Sequence, residues 1–413
     1  MKKELKQRIE KIQRGEVPEG YKKTKLGVVP NEWEDTLFSD LFTSTSDYTD
    51  DLNRYPLYSL TIEDGITAKT ERYERSHLVK KENAYKIVRP NDFAYNPMNV
   101  RFGAVARHKG DGEVSISGYY DIFTTKVTSD LEFMDSFLIS DNMITYYNKV
   151  SIGSLVEKQR VHFSQFIDFR LPLPSEAERK KIADILSKQE KLITLKEKLI
   201  EEKNRQKKAL MQQLLTGKKR LPGFSSEWVD VKLGDVFAER VETNCQDLEL
   251  LSVTGTNGVV PRSTIETKDN SSEDKSKYLK ICKGDIGYNT MRMWQGVSAL
   301  SEYEGIVSPA YTILIPSSEI SAKYFSYLFK MHAVIFLFYR FSQGIVDDTR
   351  SLKYYEFAKL HLNIPSDKKE QEAIADILTI ADKEIEILQK DLDQEKQKRK
   401  ALMQLLLTGI VRV

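Results

Sequence analysis

Two stretches of this chain, 176–216 and 368–408, each run about 40 residues with no proline and no internal glycine. In the second, apolar residues fall at Ile374, Leu378, Ala381, Ile385, Leu388 and Leu392. Those steps alternate four and three, the rule for a helix packed along another helix. In the first, Ile185, Leu192 and Leu199 recur every seven residues, and so do Leu186, Ile193 and Ile200, a wider apolar stripe. Pro174-Ser175-Glu176 and Pro365-Ser366-Asp367 supply start signals, and Gly217 and Gly409 supply stops. Each helix should extend roughly 60 Å at about 1.5 Å per residue. A lone helix of that length gains little from propensity, so the two are expected to pair with each other.

The pattern between the helices is different. Residues 30–173 and 222–364 are rich in Tyr, Phe, Val, Ile and Thr. β-type runs such as Tyr311–Pro316 and Gly296–Leu300 alternate with Gly, Asn and Asp turns, and Ala322–Tyr339 reads as helical. Each segment is expected to form a compact α+β globule. A short amphipathic N-terminal helix (Leu5, Ile9, Ile12) runs into Gly15 as the first long helix runs into Gly217. It is expected to complete the pattern in a circular sense. The chain thus divides into an N-terminal helix and linker (1–29), a first module (30–173), a central helical spacer (174–221), a second module (222–364) and a C-terminal helical spacer (365–413).

The order module, helix, module, helix is an internal duplication. KALMQ, LLTG and IADIL each occur twice at one offset: Ala209 and Ala401, Gly217 and Gly409, and Ile182 and Ile374 are all 192 positions apart. The repetition reaches into the modules. EWEDTLFSDLF, ending at Phe42, parallels EWVDVKLGDVF, ending at Phe237. Leu57–Ile66 parallels Leu250–Val259, and Asn91–Val105 parallels Gly284–Val297. Identical words at a constant spacing do not arise by chance.

Composition narrows the function classes. Charged residues make up 30% of the 413, yet the formal net charge is only +2, so nucleic-acid binding must rest on local patches. The N-terminus lacks the apolar core of a signal peptide, and no run approaches the ~18 apolar residues of a membrane span. A cytoplasmic protein is expected. Cys245 and Cys282 form no CxxC pair and read as small buried residues, and His77, His108, His162, His332 and His361 show no metal-ligand spacing.

Enzyme motifs fail on inspection. Asn96–Asn99 (NPMN) lacks the second proline and the aromatic residue of an adenine-methyltransferase motif, and its second copy, Asn289–Arg292, loses the first proline too. Gly15–Lys22 resembles a phosphate-binding loop, but Tyr21 stands where lysine must follow the second glycine. Glu201–Lys203 offers half a nuclease motif, but on a solvated helix face. No catalytic or metal site is expected.

Recognition residues are better represented. In both copies a Tyr-Asn pair precedes an arginine: Tyr95-Asn96 with Arg101, and Tyr288-Asn289 with Arg292. Asn can pair bidentately with adenine and Arg with guanine. The competing reading is that Tyr-Asn is a structural turn, because a shared feature cannot read two different half-sites. Sequence readers should be polar and differ between copies. Asn99, Arg101, Arg107 and Lys109 then stand against Arg292, Trp294 and Gln295. After Thr61 and Thr254, Glu63, Asp64 and Lys69 stand against Thr256, Asn257 and Arg262. Gln159-Arg160 and Arg350, near the module ends, are phosphate candidates. The basic clusters Lys203–Lys208 and Lys396–Lys400 read as a solvated helix face, as a DNA contact or as a partner dock.

KKALMQQLLTGKKRLPGF followed by EW and LGDVF, the repeated IADIL after a proline, and the C-terminal KALMQLLLTG together resemble the specificity subunit of type I restriction–modification systems. The resemblance covers essentially the whole chain. It implies an α+β protein with two similar globular target-recognition domains separated by two long antiparallel coiled-coil helices, in pseudo-twofold relation. It further implies a non-catalytic subunit that recognises a bipartite double-stranded DNA site, one half-site per domain. Two modification (methyltransferase) subunits would bring S-adenosylmethionine, and restriction/translocase subunits would bring ATP and Mg. The other readings are a coiled-coil adaptor whose globules bind protein, and the recognition region of a fused restriction–methylation enzyme.

Overall fold

The computed structural model describes residues 3–69, 84–155, 158–255, 257–266 and 271–413; His77 and Thr256 lie outside them. The chain forms two compact units: unit 1 is Met1–Lys196 with Asp391–Val413, and unit 2 is Glu197–Lys390. The boundary cuts both long helices, Glu176–Leu214 and Lys368–Leu406, hereafter the first and second rods. Each unit therefore owns one module, the start of one rod and the end of the other.

In unit 1 a four-stranded antiparallel sheet runs in the order Val105–Arg107, Phe93–Tyr95, Asp121–Thr125, Phe42–Thr45. Unit 2 repeats that order with Ser298–Leu300, Ile286–Asn289, Tyr311–Pro316 and Phe237–Glu239. In each, the strand leading into the rod pairs with the strand after the Glu-Trp word: Arg170–Leu173 with Glu34–Leu37, and His361–Pro365 with Trp228–Lys232. A small hairpin completes each module, Tyr58–Thr61 with Gly65–Ala68 and Leu251–Val253 with Val259–Pro261. Two helices follow the sheet: Leu131–Phe137 and Asp141–Val150 in unit 1, Ala322–Leu328 and His332–Phe341 in unit 2. Ser140 and Ser321 cap one helix in each unit, accepting from the amides of Met143 and Tyr324. The run Ala322–Tyr339, expected to be helical, forms two helices, with Met331 in an extended conformation between them.

Both cores are aromatic and continuous with the rods. Phe38, Phe93, Tyr95, Phe123 and Phe166 pack with Ile182 and Leu186 of the first rod and Leu406 of the second. Phe237, Tyr288, Phe325 and Phe357 pack with Leu214 of the first rod and Ile374 and Leu378 of the second. Within each unit the rod segments run antiparallel. In unit 1 Glu190 pairs with Arg399 at 2.5 Å and Lys196 with Asp391 at 2.5 Å; in unit 2 Lys203 pairs with Glu384 at 2.6 Å and Lys207 with Asp382. Of the two first-rod stripes, Leu186, Ile193 and Ile200 are buried, whereas Leu192 and Leu199 are exposed.

Both rods end at a glycine in the left-handed region, Gly217 at φ 70° and Gly409 at φ 67°. An added side chain would meet the Trp228 ring at 3.2 Å in the first case, and Pro30 at 2.5 Å and Trp33 at 2.9 Å in the second. Three residues beyond each glycine an arginine clasps a buried glutamate near the start of the other rod: Arg220 with Glu370 at 2.7 Å, Arg412 with Glu178 at 2.5 Å. So the pattern does close circularly, but through the end of the second rod and not through the N-terminal helix. That helix, Lys3–Gln13, lies alongside, with Arg8 donating to the Ile410 carbonyl at 2.8 Å. Among the described residues unit 1 alone adds a hairpin, Tyr21–Thr24 with Gly27–Pro30.

Candidate nucleic-acid interface

The residues expected to read DNA fall into two classes. One class builds the surface. Tyr95 and Tyr288 are fully buried, the Tyr95 hydroxyl donating to the Val161 carbonyl at 2.9 Å, and burial pushes both hydroxyls above the ordinary tyrosine range. Neither presents a surface to a duplex. Asn96 is buried, its Oδ1 accepting from the amides of Met98 and Asn99, and Asn289 Oδ1 accepts from Met291 in the same way. The Tyr-Asn pair is therefore the structural turn, because it spends its polar atoms on its own backbone. Thr61 and Thr254 behave alike, each hydroxyl donating to the carbonyl that closes its hairpin and accepting an amide from the hairpin tip.

Several arginines are also committed internally. Arg101 is buried and donates to Gln159 Oε1. Arg107 is held by Glu132 at 2.5 Å and Asn91 at 2.8 Å, and Lys109 by Asp135 at 2.7 Å. Arg262 donates to the Ile265 carbonyl, bracing the turn it begins. Arg350 pairs with Asp347 at 2.8 Å and stacks over the Tyr339 ring at 4.1 Å. The expected readers Arg101, Arg107, Lys109 and Arg262, and the phosphate candidate Arg350, thus all have partners within the protein, although the buried Nε atoms of Arg101 and Arg107 have none among the described residues.

The second class stays accessible: Lys69, Asn99, Arg292 and Gln295 are exposed, and Arg160 and Trp294 half-buried. The fold brings most of them together. Asn99 begins the short helix Val100–Phe102, and Arg292 begins its equivalent Met293–Gln295. Against each of these turns lies a loop closed by a backbone bridge, Ile152 with Arg160 in unit 1 and Gln343 with Ser351 in unit 2. The Val161 amide donates to the Pro97 carbonyl, and the Leu352 amide to Thr290. Trp294 lies edge-on to Tyr339 at 6.1 Å, its indole N–H donating to the Met291 carbonyl. Each module thus presents one turn-and-loop surface, built on the same frame and carrying different side chains. Lys69 lies apart, at the end of the hairpin, where its amide donates to Leu57.

Sequence reasoning passed over the tips of those loops. Leu155 in unit 1 and Ile345 in unit 2 are exposed, Ile345 at 98%. The available signal was Gly153 and Gly344, whose left-handed φ of 146° and 147° marks the same turn in both copies. Among the described residues no group of His, Cys, Asp and Glu could hold a metal ion, and no helix is long and apolar enough to cross a membrane.

Comparison with known proteins agrees with this architecture. Residues 225–396 match the family described as the type I restriction modification DNA specificity domain. An inferred specificity subunit of the type I restriction enzyme MjaX of Methanocaldococcus jannaschii is 23% identical, over 96% of this chain and 97% of its own. The type I restriction enzyme MjaVIII specificity subunit of the same organism is 26% identical, over 67% of this chain and 71% of its own. In fold, the S subunit of a type I restriction–modification system from M. genitalium superposes with a TM-score of 0.55 at 14% identity, over 91% of this chain and 96% of that one. A chain from a structure describing complex assembly and conformational transition of the type I R-M system gives 0.53 at 14% identity, over 93% and 99%. With its duplicated modules and paired rod segments, the chain is similar along its length to specificity subunits of type I restriction–modification enzymes, and its residues 225–396 match the DNA specificity domain of that family.

Proposed function

We propose that this chain recognises a bipartite double-stranded DNA site, one half-site per module, and directs partner methyltransferase and restriction subunits to it without catalysing a step itself. The observation that carries the reading is that the two modules share a strand order but differ at the exposed turns, Asn99 against Arg292 and Gln295. A common scaffold with divergent polar tips is what two different half-sites require. The two rods, as an antiparallel pair, set the gap between the half-sites. Exposed aliphatic residues on the rods, among them Leu195, Ile380 and Ile387, offer apolar surface to two modification subunits. S-adenosylmethionine, ATP and Mg reside in those partners, and the complex works in the cytoplasm.

Footprinting tests this reading. With its modification partner the chain should protect two short DNA segments separated by a sequence-indifferent gap. Uniform absence of protection favours a protein-binding adaptor instead. Adding one turn, about four residues, to both rods should lengthen the gap and leave the half-sites unchanged.

A further inference from the structure

The rods present the same four residues at the same place in both units: Lys208, Met211, Gln212 and Thr216 in unit 2, Lys400, Met403, Gln404 and Thr408 in unit 1. In each unit they face the start of the second module helix. In unit 1 the space between them is a cavity of about 40 Å³; in unit 2 it is a cleft of about 1280 Å³. The hairpin unique to unit 1 accounts for the difference. Asn142, which lines the small cavity, donates to the Leu26 carbonyl at 2.9 Å, and Leu26 is buried in the same apolar cluster as Leu406 and Leu407. Tyr21 of the hairpin donates to the Gly409 carbonyl at 2.8 Å. Unit 2 has only the ten residues Lys218–Glu227 between Gly217 and Trp228.

The wall facing the rod has also changed its charge. The helices Asp141–Val150 and His332–Phe341 correspond residue for residue, so Ile139 is matched by Lys330 and Asp141 by His332. The hairpin that fills unit 1 carries Lys22, Lys23 and Lys25, and it meets a wall bearing Asp141. The unit 2 cleft is lined instead by Lys208, Lys218, Lys330 and His332. Its two acids are engaged: Asp382 by Lys207 and the Tyr327 hydroxyl, Glu386 by Lys390. Lys330 is anchored through bonds to the carbonyls of Gly296 at 2.7 Å and Ser298 at 2.6 Å, and burial together with Lys207 pushes its pKa down to about 8. The cleft is short of negative charge. Across it stands the tip of the unit 2 hairpin, with Asn257 exposed.

We propose that this cleft seats one strand of the DNA duplex, its phosphates between Lys208, Lys218 and Lys330, so that unit 2 grips DNA against its own rod while unit 1, plugged by its hairpin, does not. The inference rests on the DNA-binding reading above and adds an asymmetry to it. A cleft lined by lysines, with an apolar floor at Met211 and Leu300, suits a sugar-phosphate strand, and each neutralised phosphate adds about 0.9 to the salt dependence of binding.

The test uses the full chain with its modification partner, on a duplex carrying the mapped site, across a salt series. K208Q/K218Q should flatten the slope of log affinity against log salt by about 1.8, while K400Q, the same residue beside the plugged cavity, leaves it unchanged. Thermal unfolding should be equal for all three proteins, since both substituted unit 2 lysines are exposed. A wild-type slope for K208Q/K218Q, or an equal flattening by K400Q, overturns the proposal. So does weakened assembly with the partner in the absence of DNA accompanied by an unaltered slope at saturating partner, which would assign the cleft to an acidic protein segment. Failure of the wild-type complex to bind any duplex would instead sink the DNA-binding reading itself.

Discussion

Unit 2 and unit 1 make the same closure by opposite routes. In unit 2 the rod ends at Gly217, Arg220 clasps Glu370, and Trp228 covers the glycine eleven residues further along one continuous strand of chain. In unit 1 Gly409 and Arg412 come from one end of the sequence and Trp33 from the other, 376 positions away. By itself that longer closure costs about 3 kcal/mol more entropy, at roughly 0.6 kcal/mol per doubling of loop length. Unit 1 carries contacts that unit 2 lacks and that offset it: Pro30 against Gly409, Arg412 reaching Glu32 at 2.8 Å, and the bonds from Tyr21 and Arg8. Side-chain chemistry, and not chain continuity, specifies how a rod joins a module.

Breaking the clasp should have the largest effect. R220A leaves Glu370 buried without its partner and should cost unit 2 about 3 kcal/mol, the usual penalty for stranding a buried charge. R412A should cost unit 1 somewhat less, because the Glu178 side chain keeps 6% exposure where that of Glu370 keeps none. Denaturant melts followed by Trp fluorescence would rank them, and the reverse order would mean that the extra unit 1 contacts depend on Arg412. The glycines come next. G409A places a side chain at a left-handed φ and against Pro30, costing about 3 kcal/mol at most, whereas G217A, with only the Trp228 ring at 3.2 Å, should cost about 1–2 kcal/mol. Equal losses would show that the Pro30–Trp33 shelf yields freely.

The modules should differ in what they read. R292A/Q295A should relax one half-site by about 1–3 kcal/mol per lost base contact and leave the other untouched, and N99A should do the reverse. Competition binding with singly substituted half-sites measures both. The last effect is one of pH. Unfolded Lys330 titrates near its ordinary 10.5 and the folded residue near 8, so between these values the unfolded state holds more protons and unit 2 gains stability as pH rises. Above about 10 the buried tyrosines oppose this, since Tyr288 and Tyr324 stay protonated only while folded. K330M should abolish the rise between pH 8 and 9.5. Unit 1, with Ile139 at that place, should show none.

Much of this contrast was written in the sequence. The duplication, both rods, their start signals and their glycine stops are periodic or punctuated features, and such features depend on local chemistry alone. Rod ends were legible only to within two residues, because Leu215 and Leu407 continue the apolar pattern after the helix has ended. The candidate site was half legible. Divergence between copies picked out Asn99, Arg292 and Gln295, which are exposed, but also Arg101 and Arg107, whose partners Gln159 and Glu132 lie 58 and 25 positions away. Long-range pairing of that kind has no local signature. Tyr95 and Thr61 misled for another reason: a residue type that can contact a base can equally close a turn, and burial decides between the two.

The central claim is that two modules on one frame read two different pieces of DNA. Methylation mapping in a host that carries this chain with its modification partner tests it most directly, for wild type and for R292A/Q295A. The account predicts a split motif in the wild type, with only one half altered or relaxed in the variant. A single unbroken motif, or a variant that changes both halves together, would contradict it.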